Sequence, residues 1–291
     1  MSALENTTIL VGVDGSQGSI EALAWAGMVA EDLGTRVTAA MVWRDRLASD
    51  RPYSDIPERP PDNIDHQLIE QLEKAVEAAG LDDVGYLPLR GSTHEALIEA
   101  SARDDVALVV VGTRGLGPIA GLLLGSVSRK LLFATTCPLV LVPRGTGLMR
   151  IQSVVVGIDG SPVSEAAAVW SAMLCANLKA SATVVHCLDT GAEHSSDRLD
   201  EIMTEAQLRF EKAHCAVFRG LEVPHESVVE NGDPRLCLIK IATTEMAGLI
   251  IIGQHGEGQV SGLGGTASYL VRHSPLPLTI IPGPTDIESA A

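Results

Sequence analysis

Short apolar runs alternate with stretches of helical periodicity along the whole chain. The first half predicts a strand over 8–13, a helix over 19–33 and a strand over 36–43, followed by a polar, proline-bearing loop over 45–63. A helix over 64–79, a strand over 84–89, a helix over 93–102 and a Val-rich strand over 107–111 come next. A glycine-rich loop then leads to a helix over 127–134 and a strand over 138–142. The second half predicts strands over 154–158, 182–188, 226–229, 249–252 and 278–281 with helices between them. Asp233 to Arg235 opens one of those helices with an acidic cap and a proline in the first turn. Such alternation implies an α/β fold with parallel sheet and helices on both faces, because right-handed crossovers leave few other solutions.

The pattern is written twice. TILVGVDGS, ending at Ser16, returns as SVVVGIDGS, ending at Ser161; ALVVVGTRG is answered by GLIIIGQHG, and TTCPLVLVP by HSPLPLTIIP. Asp14 and Asp159 are 145 positions apart, Gly112 and Gly253 141, and Pro138 and Pro277 139. One domain has therefore been duplicated with small net deletions, and the expected division is 1–146 and 147–291. The linker over 144–152 is too short to let the halves roam, so they are expected to pack together.

Composition narrows the class. A chain of 291 residues with 46% apolar side chains can bury two ordinary cores. No apolar run approaches a membrane span, and the N-terminus has no basic export-signal region, so a cytoplasmic location is expected. A net charge of -16 argues against sequence-independent nucleic-acid binding and anionic membrane surfaces. Five cysteines without CxxC spacing fit reduced, mostly buried thiols, with Cys215 expected to be the exposed one. His186, with no second His or Cys at ligand spacing, reads as a satisfied packed histidine, so no zinc is assigned. Trp25, Trp43 and Trp170 read as packing residues, with Trp43 placed where a base could touch it.

Against that acidic background, the interval from Val106 to Ile158 contains no Asp or Glu but holds Arg114, Arg129, Lys130, Arg144 and Arg150. Within it stand Gly112, Gly115, Gly117, Gly121 and Gly125, where the main chain can approach a ligand with no Cβ in the way. Ser126 and Ser128 follow at a predicted helix start, where unpaired N–H groups and short hydroxyls suit an anion. The segment reads as a phosphate cradle, the competing reading being a glycine-rich connector with solvated arginines. A P-loop would need a Lys before Ser126 or Thr266, and a dinucleotide fingerprint would need an acidic residue in the carboxylate-free stretch.

Ligands of doubly wound sheets sit outside the carboxyl ends of the strands. At that edge Asp14 can accept hydrogen bonds from ribose hydroxyls or a base amine, and main-chain groups at Met41 and Val42 can read a base edge. The alternative for Asp14 is an ordinary turn residue, since Asp-Gly-Ser is strong turn chemistry.

These residues resemble those of tandem universal stress proteins over nearly the whole chain. ATP-binding members carry G-x2-G-x9-G-[ST], matched here by Gly112, Gly115, Gly125 and Ser126, alongside GVDGS and CPLVLVP. The resemblance implies two Rossmann-like, adenine nucleotide alpha-hydrolase-like domains, each a doubly wound five-stranded parallel sheet. They would pack as an intrachain pseudo-dimer through strands 138–142 and 278–281. It implies a nucleotide site built from Gly12, Asp14, Met41, Val42, Gly112, Thr113, Arg114, Gly115, Gly125, Ser126, Val127 and Ser128.

The second copy would use Gly157, Asp159, Cys187, Gly253, Gln254, His255, Gly256, Gly265, Thr266, Ala267 and Ser268. There only eight residues separate Gly256 from Gly265, one fewer than the motif. Glu257 enters that loop, His255 replaces Arg114 and Tyr269 takes the place of Arg129, so this copy is expected to hold a triphosphate less tightly. The expected function is an ATP-binding regulator of stress response or growth, with Mg²⁺ arriving on the phosphates. The alternatives are a slow ATPase, a nucleotidyl or phosphoryl transferase, or a scaffold that holds no nucleotide. Hydrolysis needs a placed base or water-orienting group, and the loop offers none, so an enzyme is disfavoured. Expected partners are an adenine nucleotide and a regulatory protein, with further homodimerisation an open alternative.

Overall fold

The computed structural model describes residues 7–43, 64–113, 124–188, 190, 196–256 and 262–283, without the side chains of 196–198. Arg114, Gly115 and Glu257 lie outside the described residues. The first repeat runs β1 (Thr8–Gly12), α1 (Gln17–Leu33), β2 (Arg36–Trp43), α2 (Ile64–Ala78), β3 (Val84–Arg90), α3 (Thr93–Ser101), β4 (Val106–Gly112), α4 (Ser126–Ala134) and β5 (Leu139–Val142). The second runs β6 (Ser153–Gly157), α5 (Pro162–Leu178), β7 (Ser181–Leu188), α6 (Ser196–His214), α7 (Ala216–Gly220), β8 (His225–Asn231), α8 (Pro234–Thr244), β9 (Leu249–Gly253), α9 (Gly265–His273) and β10 (Leu278–Ile281).

Local chemistry sets the helix ends. Ser16 caps α1 by accepting from the Ser19 N–H, and Gly34 stops the helix in the left-handed conformation. Ser161 caps α5 in the same way, with Pro162 in its first turn. The central strands are buried on both faces, which is why they read as continuous Val, Ile and Leu runs.

The strands form one sheet in the order β3-β2-β1-β4-β5-β10-β9-β6-β7-β8. All neighbours are parallel except β5 and β10, which run antiparallel with Val140 opposite Thr279. Each half therefore carries the doubly wound order 3-2-1-4-5, and the expected pairing of the last strands is found. Two apolar layers flank the sheet, and both run across the β5–β10 seam. One contains Val142 and Ile281 beneath α1, α2, α5 and α6; the other contains Leu139, Leu141, Leu278 and Ile280 beneath α3, α4, α8 and α9.

The linker follows α1. The Gly145 N–H donates to the Glu21 carboxylate at 2.7 Å, and Arg150 pairs with Asp32 and Glu31. Cys215 corrects an expectation: it is completely buried, at the inward turn between α6 and α7, packed in the layer that includes Phe210 and Phe218. Burial pushes its thiol up to about 11. His186 is satisfied, its Nδ1 2.8 Å from the Ile158 carbonyl and its ring stacked on Phe210.

Candidate functional site

The candidate site begins at the turn after β1. With Gly15 at φ +78°, the chain folds back so that the Ser16 N–H donates to Asp14 Oδ1 at 3.0 Å, while the Asp14 N–H donates to Ser19 Oγ at 3.3 Å. The Asp14 carboxylate is thereby held, solvent-exposed, at the carboxyl edge of the sheet. Asp159, Gly160, Ser161 and Ser164 repeat the arrangement with the same two distances. In the second copy the strand-end loops meet: a side chain at Gly256 would collide with the Asp159 carboxylate.

Val42 supplies the next element. The Ala40 carbonyl accepts from Val13 on the β1 side, whereas the Trp43 carbonyl accepts from Gly91 on the β3 side. Alternation along β2 turns the Val42 N–H and C=O toward β1, but β1 pairing ends at Gly12 opposite Ala40. Those groups therefore look past the strand end into the candidate site. Met41 turns its main chain the other way and buries its side chain. Cys187 is in the Val42 phase, two residues beyond the Gly157–Val185 pair. Burial, and secondarily Cys237, push its thiol up to about 12.

The glycine loop closes onto α4 through the Gly125 N–H, which donates to the Thr113 carbonyl at 2.8 Å. Gly125 caps the helix with no side chain, and the first intrahelical bond runs from the Arg129 N–H to the Gly125 carbonyl. The N–H groups of Ser126, Val127 and Ser128 thus precede the ladder, and Ser126 is exposed. Two residues assigned to phosphate have other tasks. The Ser128 hydroxyl turns inward and donates to the Gly112 carbonyl at 2.9 Å. A Cβ on Gly112 would stand 2.6 Å from the Gly18 carbonyl oxygen, so this glycine lets α1 lie against β4.

The second copy corrects the register expected for it. Gly264, not Gly265, matches Gly125: it caps α9, donates to the Gln254 carbonyl at 2.9 Å and accepts from the Ser268 N–H. Gly265, Thr266 and Ala267 therefore stand where Ser126, Val127 and Ser128 stand. Ser268 corresponds to Arg129, and Tyr269 to Lys130 rather than Arg129. In this copy Gly265 and Ala267 replace the Ser126 and Ser128 hydroxyls, Thr266 brings one in place of Val127, and the loop is two residues shorter.

Gln254 also departs from its assignment. Its side-chain amide donates to the Leu132 carbonyl of α4 at 2.7 Å and accepts from the Gly283 N–H at 3.0 Å, tying the two repeats together. The His255 ring lies against Gly283.

A third loop borders each site, and nothing in the residue types marked it beforehand. In the first copy His94 Nδ1 lies 2.8 Å from Ser92 Oγ, and Lys130 Nζ lies 3.1 Å from His94 Nε2. Among the described residues neither Lys130 nor Arg129 pairs with a carboxylate. In the second copy Gly232 to Arg235 face Gly265 and Thr266 across an open cleft of about 410 Å³. There Arg235 is forked onto Asp233, with Nε 2.8 Å from both carboxylate oxygens, and its guanidinium lies 5.4 Å over the Tyr269 ring. The Arg235 side-chain hydrogen bonds hold the Asp233 carboxyl below the usual carboxylate range. The signal for this loop was positional: it follows a strand at the same edge.

Comparison with known proteins agrees with the duplication. The universal stress protein family model matches residues 5–143 and again 150–282. A universal stress protein of Mycobacterium tuberculosis is 29% identical over 318 aligned positions, covering 98% of each chain. One of Thermus aquaticus is 33% identical over 142 positions, 46% of this chain and 97% of its own. A universal stress protein structure from Archaeoglobus fulgidus superposes with a TM-score of 0.64 at 19% identity, covering 95% of this chain and 98% of that one. The chain belongs to the universal stress protein family and carries its domain twice.

Proposed function

We propose that this protein is a cytoplasmic, nucleotide-dependent stress regulator that binds ATP at the carboxyl edge of its first repeat. Family membership supports a stress-related role. The observation that carries the nucleotide reading is the α4 N-terminus: it opens behind a glycine cap, with Ser126 exposed and Arg129 and Lys130 free of carboxylate partners among the described residues. Unsatisfied N–H groups, the helix dipole and two cations together suit a polyphosphate. The Asp14 carboxylate and the Val42 main chain stand at the same edge, with the chemistry to hold ribose and adenine. Mg²⁺ enters on the phosphates rather than in a protein cage. Among the described residues no helix is long and apolar enough to cross a membrane.

Thermal unfolding with and without Mg-ATP tests the reading. Ligand at 100 times Kd stabilises the native state by about 2.7 kcal/mol, a rise of several degrees. Nucleotide released by denaturing the purified protein and identified by chromatography gives the second readout. Intact ATP supports a binding module, and ADP with phosphate accumulating over time supports a slow ATPase. The absence of both binding heat and thermal protection at saturating Mg-ATP rejects the proposal.

A further inference from the structure

We propose that the second repeat's cleft is an adenine-nucleotide site restricted to a single phosphate, so that the two repeats hold different members of the adenylate pool. The inference rests on the nucleotide reading above and goes beyond it by assigning the second site a ligand class of its own.

The adenosine-facing parts are shared. The Asp159 turn reproduces the Asp14 turn hydrogen bond for hydrogen bond, and Cys187 extends beyond β6 as Val42 extends beyond β1. A Gly256 that abuts the Asp159 carboxylate brings the two strand-end loops together. The differences gather where phosphates would lie. α9 begins behind Gly264 with no side-chain cap, which leaves the N–H groups of Gly265, Thr266 and Ala267 for one anionic group.

Among the described residues, the two cations that would neutralise a longer chain at this helix start are replaced. Gly265 replaces the Ser126 hydroxyl, while Ser268 and Tyr269 replace the Arg129 and Lys130 cations. Across the cleft, Asp233 stands where the first repeat has Ser92 and accepts from the Arg235 guanidinium. That guanidinium also lies over the Tyr269 ring. A β- or γ-phosphate carried into this cleft meets a carboxylate and finds the nearby cation already spent. Glu230, another carboxylate near Cys187, is paired with Lys240 at 3.5 Å, so Lys240 is engaged as well.

The test is titration calorimetry on the full chain with AMP and Mg-ATP, using Asp14→Ala to disable the first site. In that variant AMP should bind about tenfold or more tightly than Mg-ATP, the ratio that one or two unfavourable charge contacts in a surface cleft produce. Adding Asp233→Ser keeps a helix-capping residue and copies the first repeat, so it should raise Mg-ATP affinity about tenfold and leave AMP binding nearly unchanged. Asp159→Ala in the otherwise wild-type chain should abolish the AMP site and spare Mg-ATP. Equal affinity for AMP and Mg-ATP at the second site, or no response to Asp233→Ser, overturns the inference while leaving the first-site proposal standing. If the wild-type chain binds no adenine nucleotide at all, both fall together.

Discussion

Gly112→Ala separates a glycine kept for ligand approach from one kept for packing. The new Cβ would lie 2.6 Å from the Gly18 carbonyl oxygen, 2.8 Å from its carbon and 3.3 Å from the Ser19 nitrogen. These are main-chain atoms of the first turn of α1, so no rotamer change relieves the overlap. Ordinary contact requires α1 to retreat from β4 by roughly 0.6–0.8 Å. That helix buries Ala22, Leu23, Trp25, Ala26 and Val29 against the sheet, so the displacement loosens a long apolar contact. Overpacking of this kind costs about 1–3 kcal/mol. Differential scanning calorimetry should show a fall of about 2–4 °C per kcal/mol, because the cooperative units are of ordinary domain size or larger. Gly253→Ala is the internal comparison. Its Cβ meets the Val163 Cγ1 at 3.0 Å and the Val163 main-chain carbon at 3.2 Å, partly a side-chain contact that can yield, so the loss should be smaller. An unchanged melting temperature for Gly112→Ala, accompanied by loss of Mg-ATP protection, would refute the packing argument and return this glycine to the phosphate loop.

Two further outcomes follow from burial. Thr279 is fully buried in β10 opposite Val140, and its hydroxyl has no partner among the described residues. Thr279→Val should therefore stabilise the chain by about 1 kcal/mol in urea denaturation; destabilisation would mean that the hydroxyl is satisfied. Burial raises the thiols of Cys137 and Cys215 to about 11 and those of Cys175 and Cys187 to about 12, from an ordinary 9.0. At pH 8 these four should alkylate slowly in the native protein and rapidly in urea. Because the unfolded thiols ionise first, they favour unfolding as pH climbs above about 9, and stability should fall between there and pH 12. Rapid native alkylation of Cys175 or Cys215, read by mass spectrometry, would contradict their burial.

Much of the architecture was legible in the residue order because its determinants are local. Val-rich runs on doubly buried strands, Ser caps at Ser16 and Ser161 and the Asp-Gly-Ser turns depend on neighbours a few positions away, and each occurs twice. Duplication then supplied the alignment between repeats. Even the α9 register was latent there: the 139-residue offset of the terminal prolines already holds at Gly125 and Gly264, so the step from 141 to 139 lies between Gly256 and Gly264.

What the residue order could not decide is which atom each polar or small residue faces. Gly112 suits a phosphate or a helix backbone equally well until α1 is seen lying on β4. Ser128 offers the same hydroxyl to solvent or to the Gly112 carbonyl, and only the α4–β4 spacing turns it inward. Cys215 sits in a polar stretch, yet the corner between α6 and α7 buries it. Gln254 reaches Leu132 because the β5–β10 seam brings residues 122 positions apart together. Sequence alone determined the order and type of the elements, since hydrophobic period and capping are short-range properties. The tertiary structure decided how charge and hydrogen bonds are shared out at the sheet edge, since Asp233, Arg235 and Tyr269 meet only when separate strands deliver their loops to the same place.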